Sequence, residues 1–412
     1  MSDAQFMRLA LRLARRGYGL TSPNPMVGAV LVKGGKIIGR GWHRRAGLPH
    51  AEIEALQDAQ KRGHHPGGAV LYVTLEPCST YGRTPPCTDA IIGAGIKRVV
   101  VGTTDPNPKH SGRAFKILRR AGITVMRWGE AADEQRPGSP GRPPHQRLAN
   151  ECAQLNEAFN HWMVHHTPFV TVKAAMTLDG KMATANGESK WITGEKARAY
   201  GMNLRQGVDA ILVGINTILA DDPKLTFRPV QSSKSKVQGS KQLRRIILDS
   251  TARTPLNAKV VTDRFAALTT IVVGRRAPKN RVSALAKRVK VLIAPTRKAG
   301  WSVLCPPRRA RSDASYRVDL VWLLKKLGSE QVGSLLVEGG GEVNASFLLG
   351  GLTQRVAFFY APKILGGRNS LKAVAGEGAR SLTEALQLHE VEWRRLGEDL
   401  LLTARVALQP GS

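Results

Sequence analysis

Residues 49–56 read PHAEIEAL and residues 74–92 read TLEPCSTYGRTPPCTDAII. Together they gather His50, Glu52, Cys78 and Cys87 into a short window of a chain with only four cysteines. Zinc takes compact nitrogen and sulfur donors, and a catalytic zinc site leaves one coordination position open. His50, Cys78 and Cys87 offer one nitrogen and two sulfurs, so that position stays free. His50 precedes a helical run, which lets Glu52 point into the same pocket from the first turn without being a ligand. Cys87 follows Pro85-Pro86 at a helix start, where backbone N–H groups and the helix dipole favour a thiolate.

Outward from this window, strand-like and helical runs alternate. MVGAVLV, AVLYVTL, KRVVVGT and GITVMRW read as strands. HAEIEALQDAQKRG, CTDAIIGAG and SGRAFKILRRAG read as helices, each ending at a glycine suited to a left-handed C-terminal cap. The start of the chain has Phe6, Leu9, Ala10 and Leu13 at helical spacing. These elements make an α/β layer with helices covering a sheet. Residues 130–147 are rich in Pro, Gly and charge and read as a linker. A helix follows over 148–166, with Cys152 on its apolar face as a core thiol. A second α/β region then begins, with strands expected at FVTVKAAM, DAILVGI, RRIILD, TTIVVG, VKVLIA, SLLVEG and RVAFFYAPKIL. The poorly patterned stretches 229–243 and 298–315 read as surface loops.

A length of 412 residues is too long for one typical domain. The sparse cysteines favour a reducing cytoplasm over a disulfide framework. No apolar run is long enough for a signal peptide or a membrane span. The net charge of +31 fits nucleic acid, anionic substrates or a solvated basic surface alike. Its local clusters, Lys234–Arg245 and Arg308–Arg311, lack interleaved aromatics, so no base-stacking platform is evident.

H-x-E followed by P-C-x-x-C is the signature of zinc deaminases, in which the Glu moves protons and is not a ligand. His50-Ala51-Glu52 and Pro77-Cys78 match it, but eight residues, not two, separate Cys78 from Cys87. That interval, with SPNPMVGAVLV before it and TDPNP after it, resembles the bifunctional deaminase/reductase family of riboflavin biosynthesis. The resemblance implies a cytidine-deaminase-like α/β/α zinc domain over 1–129 that deaminates a diaminopyrimidinone carrying a ribose phosphate. It implies zinc at His50, Cys78 and Cys87, proton shuttling by Glu52, and a substrate lined by Asn24, His43, Arg83 and Asn107. His43 also fits a plain surface histidine. Thr80 stands where the family often has His, so that contact differs here.

In the second half, LLVEGGGEVN places glycines after a strand and before a helix, where backbone amides can approach a phosphate. No G-x-G-x-x-G is present, and the same glycines fit an ordinary turn. KAAMTLDGKMATANGESKWITG, DAILVGINTILADDPKLTFR, IILDS and LLVEGGGEVN are similar, in order, to the reductase domain of the same family. That resemblance implies a dihydrofolate-reductase-like α/β domain over 167–412, joined through residues 130–166, that uses NADPH. It places the cofactor at Ala175, Trp191, Thr217, Asp221, Ser250 and the run Gly340, Gly341, Glu342, Val343, Asn344, Ala345 and Ser346. It places the ribosylaminouracil phosphate at Ser189, Arg205, Leu225, Arg228 and Glu338. Arg205 and Arg228 suit a phosphate clamp or surface ion pairs, and Trp191 suits a nicotinamide or core packing. A homo-oligomer acting on a phosphorylated pyrimidine, without membrane or nucleic-acid partners, is the expected working form. A nucleic-acid base deaminase and an RNA-binding protein with structural zinc are the competing readings. The long Cys–Cys interval opposes the first, and Glu52 beside an open three-ligand site opposes the second.

Overall fold

Successive residues of a strand point to opposite faces of a sheet, and across Ala29–Val32 both sets are apolar. A strand of that kind needs cover on both sides. The computed structural model describes residues 1–81, 85–108, 110–128, 144–228, 242–297 and 317–407. It divides into two compact units, Met1–His166 and Thr167–Ser412.

The first unit runs α1 (Asp3–Ala14), β1 (Gly28–Lys33), β2 (Lys36–Trp42), α2 (Ala51–Lys61), β3 (Val70–Val73) and α3 (Cys87–Gly93). It continues through β4 (Arg98–Val101), α4 (Arg113–Arg120), β5 (Thr124–Arg127), α5 (Pro144–Leu155) and α6 (Glu157–His165). The strands lie in the order β2-β1-β3-β4-β5. β1 is antiparallel to both neighbours, whereas β3, β4 and β5 are parallel. Ala29, Leu31, Leu71, Val73 and Val99 pack with Ala51, Ala55, Ile91 and Leu118 on one face. Val30, Val32, Tyr72 and Val100 pack with Phe6, Met7, Ala10, Leu148 and Cys152 on the other. Helices therefore cover both faces.

Two details depart from the sequence pattern. The strand β2 is hidden there because Gly39 and Gly41 interrupt its apolar alternation. Both glycines let α2 lie directly on the strand: a Cβ on Gly39 would stand 2.3 Å from the Ala55 carbonyl oxygen, and one on Gly41 2.2 Å from that of Ala51. The single helix expected over 148–166 is two, α5 and α6, parted at Asn156. There the backbone leaves helical geometry (φ −115°, ψ 24°), and the Asn156 side chain bonds the main chain of Met26. The stretch expected as a linker lies outside the described residues up to residue 143.

The second unit opens with β6 (Phe169–Thr177), β7 (Lys181–Ala183), α7 (Glu195–Gly207), β8 (Ala210–Gly214), α8 (Ile215–Asp221) and β9 (Arg244–Leu248). Next come α9 (Lys259–Thr262), β10 (Thr269–Gly274), α10 (Lys279–Ala286), β11 (Lys290–Ala294), β12 (Thr296–Arg297) and β13 (Arg317–Val318). It closes with α11 (Leu320–Ser329), β14 (Ser334–Val337), α12 (Gly341–Leu348), β15 (Arg355–Ala361), β16 (Leu371–Lys372), β17 (Leu388–Leu396) and β18 (Asp399–Val406). Nine strands form one sheet in the order β11-β10-β9-β8-β14-β6-β15-β18-β17. It is parallel from β11 to β15, and β18 and β17 add antiparallel. All seven strands expected in this half belong to it, whereas β17 and β18 have no counterpart in the sequence reading. The two expected surface loops fall almost wholly outside the described residues. Among those described, no helix is long and apolar enough to cross a membrane.

The α2–β2 contact gives a direct test. Gly41→Ala should destabilise the first unit by about 1–3 kcal/mol, the usual cost of forcing extra volume into packed structure. Gly93→Ala, in α3 with open space around its Cβ position, should be neutral or slightly stabilising. Calorimetric unfolding of both variants checks the pair.

Candidate active sites

His50 is the N-cap of α2, Cys78 follows the end of β3, and Cys87 is the first residue of α3. The His50 Nδ1 lies 3.4 Å from Cys78 Sγ and 3.3 Å from Cys87 Sγ. The Cys87 N–H donates to Cys78 Sγ at 3.2 Å. All three donor atoms fall within 4.8 Å of one another. One imidazole and two sulfurs at this spacing fit zinc, with room for a fourth ligand. Hydrogen bonding from Cys87 brings the Cys78 thiol down to about 4, with His50 adding to the effect. Cys87, the other member of that pair, is pushed up.

Glu52, on the first turn of α2, is only 3% exposed. Burial, reinforced by the charge on Cys78, raises its carboxyl to about 7. A group in that range can take and return a proton at neutral pH.

His43 is buried, not on the surface. Its Nδ1 faces the Pro49 carbonyl oxygen at 3.1 Å, which can only accept, so Nδ1 carries the proton. Its Nε2 is then free to accept from Asn24 Nδ2 at 3.2 Å. Burial lowers its pKa further, and its ring meets His50 edge-on with centroids 5.3 Å apart. Asn107 lies in a loop whose Asp105 carboxylate accepts the Asn107 N–H at 2.8 Å. Arg83 lies outside the described residues, and Thr80 is half-buried beyond Cys78.

In the second unit the expected residues collect at the C-terminal edge of the parallel strands. Ala175 is on β6, Thr217 and Asp221 on α8 after β8, Ser250 beyond β9, and Glu338 beyond β14. Ligands bind at such edges in open α/β sheets. Glu338 accepts from the Arg205 fork at 2.8 and 2.9 Å, with the Lys173 Nζ 3.9 Å away. Burial works to raise its pKa, but the charges of Arg205 and Lys173 prevail and hold it at about 2. The guanidinium assigned to a phosphate is thus the partner of Glu338, and it also donates to the Thr226 carbonyl. Arg228 is exposed, and Leu225 is buried in the core with φ 49°. The Lys190–Asp221 ion pair, at 2.9 Å, brings the Ser189–Trp191 segment to α8. Trp191 is 65% exposed beneath Arg198, so it does not fill the core.

The run Gly340–Ser346 divides in two. Gly340 is the N-cap of α12 with open space beside it. Glu342 is exposed on the first turn, and Val343 covers Gly214 and Gly339. Asn344 and Ala345 are buried, and the Ser346 hydroxyl turns back to the Glu342 carbonyl. The first turn of α12 thus offers main-chain N–H groups beside the open position at Gly340, an arrangement that fits a dinucleotide phosphate.

Residues 1–103 match the family model described as the cytidine and deoxycytidylate deaminase zinc-binding region, and residues 168–402 match the RibD C-terminal domain. The riboflavin biosynthesis protein RibD of Aquifex aeolicus is 42% identical over 400 residues, covering 97% of each chain. The chain belongs to the RibD family. The RibD of Escherichia coli is 37% identical over 411 residues, covering 98% of this chain and 99% of its own. Acinetobacter baumannii RibD superposes with a TM-score of 0.78 at 32% identity, covering 98% of this chain and 99% of that one. The Thermotoga maritima deaminase/reductase structure gives 0.73 at 32% identity, with 98% of each chain covered. The protein is a bifunctional RibD enzyme of riboflavin biosynthesis, a zinc-dependent deaminase joined to an NADPH-dependent reductase.

Lys173 escapes the sequence reading of this RibD chain, although a lone cation in the apolar run FVTVKAAM is a usable signal. The Glu338 pair predicts acid behaviour. A carboxyl held near 2 instead of 4.5 contributes stability that is present above pH 4.5 and lost as pH falls towards 2. Glu338→Gln should flatten the pH dependence of reductase-unit unfolding across that window. It should also cost about 3 kcal/mol at neutral pH, because Arg205 loses its partner. Urea unfolding from pH 7 down to 2.5 reads both effects.

Proposed function

We propose the following division of labour between the two units. The first hydrolyses an amino group from a diaminopyrimidinone bearing a ribosylamino phosphate. The second reduces the ribosyl group of that product to a ribityl chain. What carries the first assignment is the meeting of His50, Cys78, Cys87 and Glu52 at two helix N-termini. His50, Cys78 and Cys87 would hold zinc, whose Lewis acidity brings a water's pKa towards neutrality. Glu52 takes the proton of the attacking water as it adds to the amino-bearing carbon. It gives that proton to the ring nitrogen, and a second transfer lets ammonia leave as the carbonyl forms. Asn24, His43 and Asn107 orient the pyrimidine, and Arg83 suits its phosphate because a guanidinium offers paired donors.

In the second unit Ala175, Trp191, Thr217, Asp221, Ser250 and the first turn of α12 would hold NADPH, which would supply the hydride. Opening the ribose requires a proton on its ring oxygen while the exocyclic nitrogen closes to C=N. Lys173 is the proton-bearing group beside Glu338 and fits that role. Glu338 stays ionised and accepts from sugar hydroxyls, with Arg205 holding it in place. Ser189 and the Leu225 main chain complete the contact, and exposed Arg228 meets the phosphate. The chain works as a homo-oligomer, a reading supported by edge strand β17, which leaves Trp393 60% exposed. A reducing cytoplasm suits the free thiols of Cys78 and Cys87.

Glu52→Gln should cut ammonia release by about a hundredfold or more while zinc content and NADPH oxidation on the deaminated product persist. Lys173→Met should do the converse, abolishing NADPH oxidation and sparing ammonia release. Full deamination by the first variant would end the proton-shuttle assignment.

A further inference from the structure

We infer that Asn156 is a positioning residue for the deaminase substrate site, acting through the main chain of Met26. Asn156 lies between α5 and α6 and is 3% exposed. Its Oδ1 accepts the Met26 N–H at 2.7 Å, and its Nδ2 donates to the Met26 carbonyl at 2.8 Å. One side chain thus does for Met26 what a neighbouring strand does for a residue inside a sheet, just before β1 begins. Neither family match, 1–103 or 168–402, reaches it.

The tether bears on the site through short links. Only Pro25 separates Met26 from Asn24, and proline stiffens that link. The next residue, Val27, accepts the His43 N–H at 2.9 Å. Asn24 and His43 then meet each other at 3.2 Å, and His43 lies edge-on to His50. Holding Met26 therefore places both expected substrate contacts relative to the metal ligand. Removing either bond leaves a part-buried main-chain group without its partner, which a shift of the loop would relieve. Among the described residues, the Asn156 side chain bonds Met26 and not His50, Cys78 or Cys87. The segment between α5 and α6 in this way supports the active site without entering it.

The inference rests on the proposed contact of Asn24 with the pyrimidine, so the experiment separates the two. Full-length enzyme carrying Asn156→Asp, Asn156→Ser or Asn24→Ala is assayed for zinc content, deaminase kcat and KM, and reductase activity. Asn156→Asp keeps the shape but replaces the donor with a carboxylate facing a carbonyl. It should raise deaminase KM about tenfold with kcat changed less than about twofold. Zinc content and reductase activity should stay at wild-type levels. Asn156→Ser, which puts a single uncharged hydroxyl in place of the amide, should give a smaller rise. If Asn156→Asp fails to hold zinc, the serine variant carries the test alone. Unchanged KM in a zinc-replete Asn156 variant overturns the inference, as does a fall in kcat with KM unaltered. An unchanged KM in Asn24→Ala removes the Asn24 contact, whereas a raised KM in the Asn156 variants still supports the tether.

Discussion

The deaminase site exists because two helices begin at the same place. α2 starts just after His50 and α3 starts at Cys87, so two helix N-termini meet at one point, and the first N–H groups of α3 are taken by Cys78. That arrangement needs α2 to touch β2 main chain to main chain, which Gly39 and Gly41 allow. A helix N-terminus favours negative charge, and Cys78, hydrogen-bonded by the Cys87 side chain above all and then by His50, is lowered to about 4. Glu52 shares the first turn of α2 yet moves the other way, to about 7. Helix dipoles contribute about 0.3–1 kcal/mol at such positions, whereas burying a carboxylate costs several. Burial wins at Glu52.

Glu338 shows the opposite outcome from similar burial. Two cations, Arg205 and Lys173, stand close enough to overcome desolvation, and its pKa falls to about 2. Environments that drive two carboxyls apart also separate their roles. Glu52, raised to about 7, suits proton exchange, and Glu338, held at about 2, keeps its charge at neutral pH. An ionised Glu338 has no proton to give, which is why the proton of the proposed reduction is assigned to Lys173, 3.9 Å away.

The grouping of His50, Cys78 and Cys87 was legible because few other uses suit H-x-E with Glu52 and a following P-C in so cysteine-poor a chain. The buried strands were legible through their apolar runs. β2 was not, since the glycines that let α2 approach also erase its alternation. β17 was not, because LHEVEWRRL is exposed along nearly its whole length and has no inward face to pattern. The Arg205–Glu338 pair joins residues far apart in the chain, and nothing in either neighbourhood names the other. The charge of Arg205 suits a phosphate or an ion pair alike, and the structure gives it a carboxylate partner, Glu338.

The least legible class is also the one that fixes the loops. Glu76 accepts main-chain N–H groups from Asp105, Gly112 and Ala114, holding the loop that carries Asn107. Arg245, wholly buried, donates to the Lys224 carbonyl at the start of the segment with Leu225 and Arg228. Asp249 accepts from Arg253 and Thr254 around Ser250, and Asp399 accepts from Gly194 at the start of α7, the helix of Arg205. Each partner is a backbone group, present at almost every residue, so the sequence offers no complementary letter to find. Each staple is also costly to undo, because an orphaned buried polar group loses about 1–3 kcal/mol. The loops therefore cannot drift without leaving such groups unpaired. Hydrophobic layers set where the strand ends lie, and these polar anchors hold the reacting groups to the tolerance that catalysis demands.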